Sequence, residues 1–339
     1  MGQSADPRSG HFFRPLDADQ RERETETDRT VEDGRENMAA SAVYAMWDEA
    51  TRPLDEMLTA GATSLGFPLA QRDPTTSALP LINKPSEPFL LIFGYIAAVM
   101  LWRSALVASG KGGAASKAGA KKKSTKFEPT FQNLLVVGHN VFLTLLSTYM
   151  FVGVVSEAVK NRYSLFLNGY SPKETQMAWY IYVFYVSKFY EFLDTFIMLW
   201  KGNVQQVSFL HVYHHATIAP IWYLIAKMAP GGEAYWSAAA NSLVHVVMYT
   251  YYCCAALKVD KKYLQWAKYL TQFQMAQFAM NMVQAAVDLT FDSPYMHSLT
   301  HLLFYYMITL LFLFGSFYIN KYNKGGAKKP PSGKGAKAA

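Results

Sequence analysis

The chain has 339 residues, of which 51% are hydrophobic and 15% aromatic but only 17% charged, fewer than a soluble domain carries. The charges gather in the first 87 residues, in 103–126 and after Tyr318, so the apolar body between them reads as a polytopic membrane protein rather than a soluble globule. The net charge of +7 belongs to basic loops and tails of the kind that flank membrane spans, and no nucleic-acid motif accompanies it, so no nucleic-acid partner is expected. The two cysteines, Cys253 and Cys254, are adjacent, which excludes a disulfide framework and a thiolate zinc site.

Residues 1–40 are polar and lack apolar periodicity, which predicts a disordered extension. No apolar run follows a basic start, so no signal peptide is expected, and Met38 or Met46 would serve as alternative starts. Residues 41–87 are mixed and proline-rich, as suits an interfacial segment. The domain reading is therefore an extension over 1–87, a membrane domain over 88–320 and a basic tail over 321–339.

Seven apolar runs follow, at 89–109, 132–155, 177–200, 207–228, 236–257, 265–289 and 300–320. Each is long enough to cross a hydrocarbon core of about 30 Å as a helix. No two-residue alternation suggests a barrel, and helices satisfy their own backbone in lipid. The expected fold is thus an all-α membrane protein with about seven transmembrane helices. Between the first two runs lies a basic Gly/Ala/Ser/Lys loop at 110–126. The connections on the side of the C-terminal tail hold most of the lysines and arginines, which predicts a cytosolic C-terminus.

Polar residues inside such runs are costly and mark inward faces. In the fourth run, His211, His214 and His215 stand at i, i+3 and i+4 on one helical face. The third run carries Lys188, Glu191, Asp194 and Thr195. The fifth carries Asn241, His245, Met248, Tyr249 and Tyr252 on one face, and the sixth Thr271, Gln274 and Gln277, where glutamines commonly join helices. His139 with Asn140 in the second run reads as packing, and His297 with His301 as interfacial. The four histidines His211, His214, His215 and His245 suggest imidazole chemistry or a metal. A di-iron desaturase or hydroxylase needs about eight histidine ligands in three boxes. Here one H-x-x-H-H exists and His11 lies in the extension, so no metal is expected.

Together these residues resemble the ELO-type fatty-acid elongases. The pattern reads Lys188-x-x-Glu191-x-x-Asp194-Thr195, then His211-x-x-His214-His215, then Asn241-x-x-x-His245-x-x-Met248-Tyr249-x-Tyr251-Tyr252, then Thr271-x-x-Gln274-x-x-Gln277-Phe278. The resemblance covers about 80–320. It implies a ring of helices enclosing an acyl tunnel, and condensation of a long-chain acyl-CoA with malonyl-CoA to 3-ketoacyl-CoA, CO₂ and CoA, with no cofactor. An imidazole can accept an acyl group and split the reaction into two steps. By motif position the acyl group falls on His214. His245 would help bind malonyl-CoA and stabilise its enolate, and His211 and His215 would orient the site. Asn241, Gln274 and Gln277 would donate to thioester oxygens, and Lys188, Glu191, Asp194 and Tyr249 would support the site or meet the CoA end.

The resemblance also implies an endoplasmic-reticulum membrane protein working with the reductase and dehydratase of the elongation cycle, and it admits a homodimer. The Phe209-Leu-His-Val-Tyr-His-His215 form is similar to elongases of polyunsaturated chains. Saturated or monounsaturated chains, a histidine-box desaturase and a membrane transporter are the alternatives. The loop at Gly110–Lys126 is longer than the family leads one to expect, and the tail lysines Lys334 and Lys337 lack the usual dilysine pairing.

Overall fold

The computed structural model describes residues 18–110 and 126–323, and every regular element among them is helical. The basic loop and the C-terminal tail therefore lie almost wholly outside the described residues. The chain divides into two compact units after Glu56. Helix α1, Ala18–Ser64, runs through that division. The composition of residues 1–40 predicts an unstructured chain, yet α1 already begins at Ala18. Its stretch is rich in Glu, Arg and Ala, strong helix formers, so local propensity accounts for a helix where apolar patterning is missing.

The second unit holds the apolar runs. They fall on α2 (Ser86–Ala108), α3 (Phe131–Lys160), α4 (Thr175–Tyr190) with α5 (Phe192–Trp200), α6 (Phe209–Met228), α7 (Ala234–Ala256), α8 (Ala267–Thr290) and α9 (His297–Tyr318). Among the described residues, three helices are long and apolar enough to cross a membrane: α2, α3 and α9 with its short extension to Tyr322. The third run is split between two shorter helices, and the fourth to sixth carry the histidines, Asn241 and the glutamines singled out above.

The third run, expected as one span over 177–200, is broken at Glu191. Ser187 Oγ donates to the Phe184 carbonyl at 2.7 Å, a back-bond that bends helices. Asp194 N–H then reaches only three residues back, to the Glu191 carbonyl, so the turn tightens there.

The core packs α4, α6, α7 and α9 through Met177, Ile181, Phe184, Trp222, Ala238 and Leu310, all buried. Gly153 of α3 lies flush against the Tyr180 ring of α4, and an added methyl group would collide with it. Outward, Leu101, Leu145 and Phe312 are largely exposed, as lipid-facing residues would be.

At one end, the connections 161–174, 229–233 and 291–296 meet. Tyr235 donates its hydroxyl to the Ser164 carbonyl at 2.7 Å, and Tyr295 donates to Ala229 O at 2.9 Å. Glu233 accepts from the Asn168 and Gln284 amides, and burial pushes its carboxyl above the usual carboxylate range. Gly232 adopts φ +51°, and a Cβ there would stand 2.8–2.9 Å from the backbone of 168–170, so only glycine admits this approach. Lys227, in the last turn of α6 and 1% exposed, donates to the carbonyls of Ile82 at 2.7 Å and Asn83 at 3.2 Å. This ties the segment before α2 to the same end.

Candidate active site

The histidine face begins at the start of α6. Ser208 caps the helix by accepting from His211 N–H at 3.2 Å, which sets the first turn and aligns the three imidazoles behind it. The His211 and His215 rings lie 4.4 Å apart, and those of His214 and His215 5.7 Å apart.

Each imidazole has a different setting. His211 Nε2 meets Thr195 Oγ1 at 2.8 Å, and Thr195 in turn meets the Tyr95 hydroxyl at 2.9 Å. Tyr95 stacks on Phe192 with centroids 4.1 Å apart, which fixes that hydroxyl. His215 is buried near Tyr95 and Phe192. His214 instead lines a cavity; its buried Nδ1, like those of His215 and His245, has no hydrogen-bond partner among the described residues.

The cavity encloses about 650 Å³ of atom-free space, including its opening. It follows α6 from His214 past Ile218 and Trp222 to Ile225, a rise of about 16 Å. Asn241 and Gln277 line the same cavity as His214, as do Glu233, Asp288 and Tyr295. Leu303, Met307 and Leu310 of α9 complete an apolar wall.

Two polar networks flank this cavity. In the first, Lys188 Nζ contacts Glu191 Oε1 at 2.8 Å and Asn241 Oδ1 at 3.3 Å, and Asn241 Nδ2 donates to Gln277 Oε1 at 3.5 Å. His245 Nδ1 lies 3.4 Å from the same Glu191 oxygen without a formed hydrogen bond. Lys188 also sits 4.0 Å above the Phe184 ring. This chain joins the break after α4 to α7 and α8. In the second network, Asp194 accepts the Tyr249 hydroxyl at 2.7 Å and contacts His139 Nε2 at 2.7 Å. It joins α5 to α7 and α3.

The structure thus brings His214, Asn241 and Gln277 to one cavity wall and joins Lys188, Glu191, Asn241 and His245 in one network. Asp194 and Tyr249 form a neighbouring one. Gln274 stands apart, its amide 3.6 Å from Met248 Sδ. His211 and His215 lie behind His214 rather than on the cavity wall. Sequence reading passed over Tyr95, which lacks a motif of its own, and treated His139 as packing. It also missed Ser237 and Asn281, although Ser237 precedes Asn241 by one helical turn and Asn281 follows Gln277 by one. Among the described residues, no group of three His, Cys, Asp or Glu side chains is placed to hold a metal ion.

The sequence profile of the ELO: GNS1/SUR4 family matches residues 80–330, which contain every side chain of both networks. The chain belongs to the ELO family. It is 36% identical over 209 residues to very long chain fatty acid elongase 5 of Tachysurus fulvidraco, covering 60% of this chain and 71% of that protein. The human elongase of the same name is 35% identical over 214 residues, covering 62% and 71%. Fatty acid elongase 6 of Leishmania major is 46% identical over 191 residues, covering 53% of this chain and 50% of that protein, so the match spans half of that relative's length. In this ELO chain, three of the four motif segments line the cavity, through His214, Asn241, Gln277 and Phe278, and the first reaches that wall through the Lys188–Asn241 contact.

Proposed function

We propose that this protein is a fatty-acid elongase that condenses a long-chain, polyunsaturated acyl-CoA with malonyl-CoA to give 3-ketoacyl-CoA, CO₂ and CoA. The observation that carries this reading is the His214 imidazole. It stands on the wall of a long apolar cavity with a buried nitrogen that no side chain occupies. The relatives' printed names supply the class of reaction.

In this reading the acyl chain lies along α6 in the cavity, with its thioester carbon beside His214. The imidazole attacks that carbon, the C–S bond breaks, and CoA leaves as the thiolate. Malonyl-CoA then loses CO₂, and its enolate carbon attacks the acyl-imidazole. The new C–C bond forms as the C–N bond breaks, which returns His214 free. Asn241 and Gln277, on the same wall, are placed to donate to developing oxyanions. His245 supports the enolate from one turn beyond Asn241, while His211 and His215 hold the imidazole stack in register.

The seven apolar runs cross the membrane of the endoplasmic reticulum with the C-terminus in the cytosol. The basic loop and tail then face the CoA phosphates. The reductase and dehydratase of the elongation cycle take the product onward.

The reading is tested by expressing the chain in yeast fed a panel of 16-, 18- and 20-carbon acids of varied unsaturation. A product two carbons longer from the polyunsaturated acids is expected. No longer product from any acid, with the protein present in the membrane, refutes the reading. The thiol route of other condensing enzymes is tested separately. Cys253 and Cys254 are half-buried, lie past His245 on α7, and are absent from the cavity wall. Cys253→Ser with Cys254→Ser is expected to retain the elongation rate within about twofold. Loss of product in that variant would move the nucleophile to a thiol.

A further inference from the structure

A second apolar cluster, separate from the main core, packs α2 against α5 and α6 through Tyr95, Val99, Phe192 and Ala219. One polar thread runs through it. The Tyr95 hydroxyl meets Thr195 Oγ1 at 2.9 Å, and the same oxygen meets His211 Nε2 at 2.8 Å. Tyr95 is 3% exposed and Thr195 0%.

Helical threonines commonly turn the hydroxyl onto the carbonyl one turn back. Thr144, Thr148, Thr217 and Thr290 of this chain all do so, at 2.7–2.9 Å. Thr195 stands apart, its oxygen held between a phenol and an imidazole. The phenol itself is held by its ring, which stacks on Phe192 at 4.1 Å and meets Phe196 edge-on at 6.0 Å. The hydroxyl therefore reaches Thr195 at a fixed place, and Tyr95 does so without lining the cavity.

We propose that Tyr95 is a positioning residue for the condensation, setting through Thr195 the orientation and tautomer of His211 and so the register of the imidazole stack. The inference rests on the elongase reading. Of the two hydroxyls the phenol is the more acidic, so it donates to Thr195 Oγ1, and Thr195 donates to His211 Nε2. The His211 ring proton is then on Nδ1. A protonated His211 would have to reverse both bonds and leave the phenol proton without an acceptor among apolar groups, so the relay holds this imidazole neutral. The His211 ring lies 4.4 Å from that of His215, which lies 5.7 Å from that of His214. Without the Tyr95 hydroxyl, Thr195 is free to turn onto the Glu191 carbonyl as the other threonines do, and His211 loses its donor. The stack then slackens behind His214, and a misplacement of about 1 Å at a reacting group costs up to about 100-fold in rate.

The test uses the full chain in membranes with an 18-carbon polyunsaturated acyl-CoA, and CO₂ release from malonyl-CoA is the readout. Tyr95→Phe keeps the ring and removes the hydroxyl. It is expected to lower kcat by about tenfold and to leave KM for both thioesters within about twofold. Thr195→Val is expected to lower kcat at least as far. Adding Tyr95→Phe to Thr195→Val should then change kcat by less than about twofold, because the phenol acts only through Thr195. A hydroxyl that serves the fold alone gives a different pattern: kcat unchanged in Tyr95→Phe with a lower Tm, or losses that multiply in the double variant. Either result overturns the relay, as does a loss carried by KM. Should Thr195→Val fail to accumulate, Tyr95→Phe alone is read for the fall in kcat at unchanged KM, whose absence overturns the relay. All of these outcomes leave the elongase reading intact. No CO₂ release by the wild type overturns that reading, and the relay with it.

Discussion

His214→Ala lowers condensation by at least about three orders of magnitude, because it removes the group on which the proposed acyl intermediate forms. Its neighbours cannot replace it. The His211 imidazole is engaged by Thr195, and His215 is enclosed near Tyr95 and Phe192, so neither presents a nitrogen to the cavity. The fold should tolerate the change, since the lost ring makes edge contacts to His215 and Phe314 and carries an already unpaired nitrogen. Mass spectrometry after incubation with acyl-CoA alone provides the direct check. The wild type carries an acyl adduct on the peptide containing His214, and the variant carries none. A variant retaining a tenth of the wild-type rate would refute the imidazole mechanism.

Lys188→Met has the largest expected effect on stability. Lys188 and Glu191 are each 1% exposed and meet at 2.8 Å, so the substitution leaves a carboxylate buried without its cation. Removing one partner of a buried pair costs about 3–5 kcal/mol. That corresponds to a fall of roughly 10 °C in Tm for a domain of this size. Lys188→Met combined with Glu191→Leu should recover at least half of the loss, because no unpaired charge remains. It should not recover activity, since Asn241 loses the Lys188 contact that orients it toward Gln277. Thermal unfolding of the purified variants in detergent decides the matter. A double variant less stable than Lys188→Met would show that the pair itself, rather than the stranded charge, matters to the fold.

The apolar runs and the inward polar faces were legible because both follow helical periodicity, and the helices fall on those runs. The histidine face was legible for the same reason, and Ser208 reinforces it as a cap. The break at Glu191 was not, because it follows from a Ser187 back-bond and a side chain drawn toward Lys188. These contacts leave no trace in the hydropathy pattern. The Lys188–Asn241 and Asp194–His139 contacts join residues 53 and 55 positions apart, and no local spacing predicts which polar faces meet. Ser237 and Asn281 escaped notice because serine and asparagine in a span read as incidental until the cavity shows what they face. The helix from Ala18 shows the converse, a local propensity strong enough to act without an apolar stripe.

The buried ammonium of Lys227 also bears on the order in which the chain matures. Its partners, the carbonyls of Ile82 and Asn83, precede it by 145 and 144 residues, and Thr76 reaches the Ala226 carbonyl across 150. At translation rates of about 5–20 residues per second, the segment before α2 waits roughly 7–30 s for these partners to be synthesised. During that interval it has none of these anchors. Nascent chains arrested before α6 should therefore leave residues 68–85 open to protease, and chains extended past Met228 should protect them.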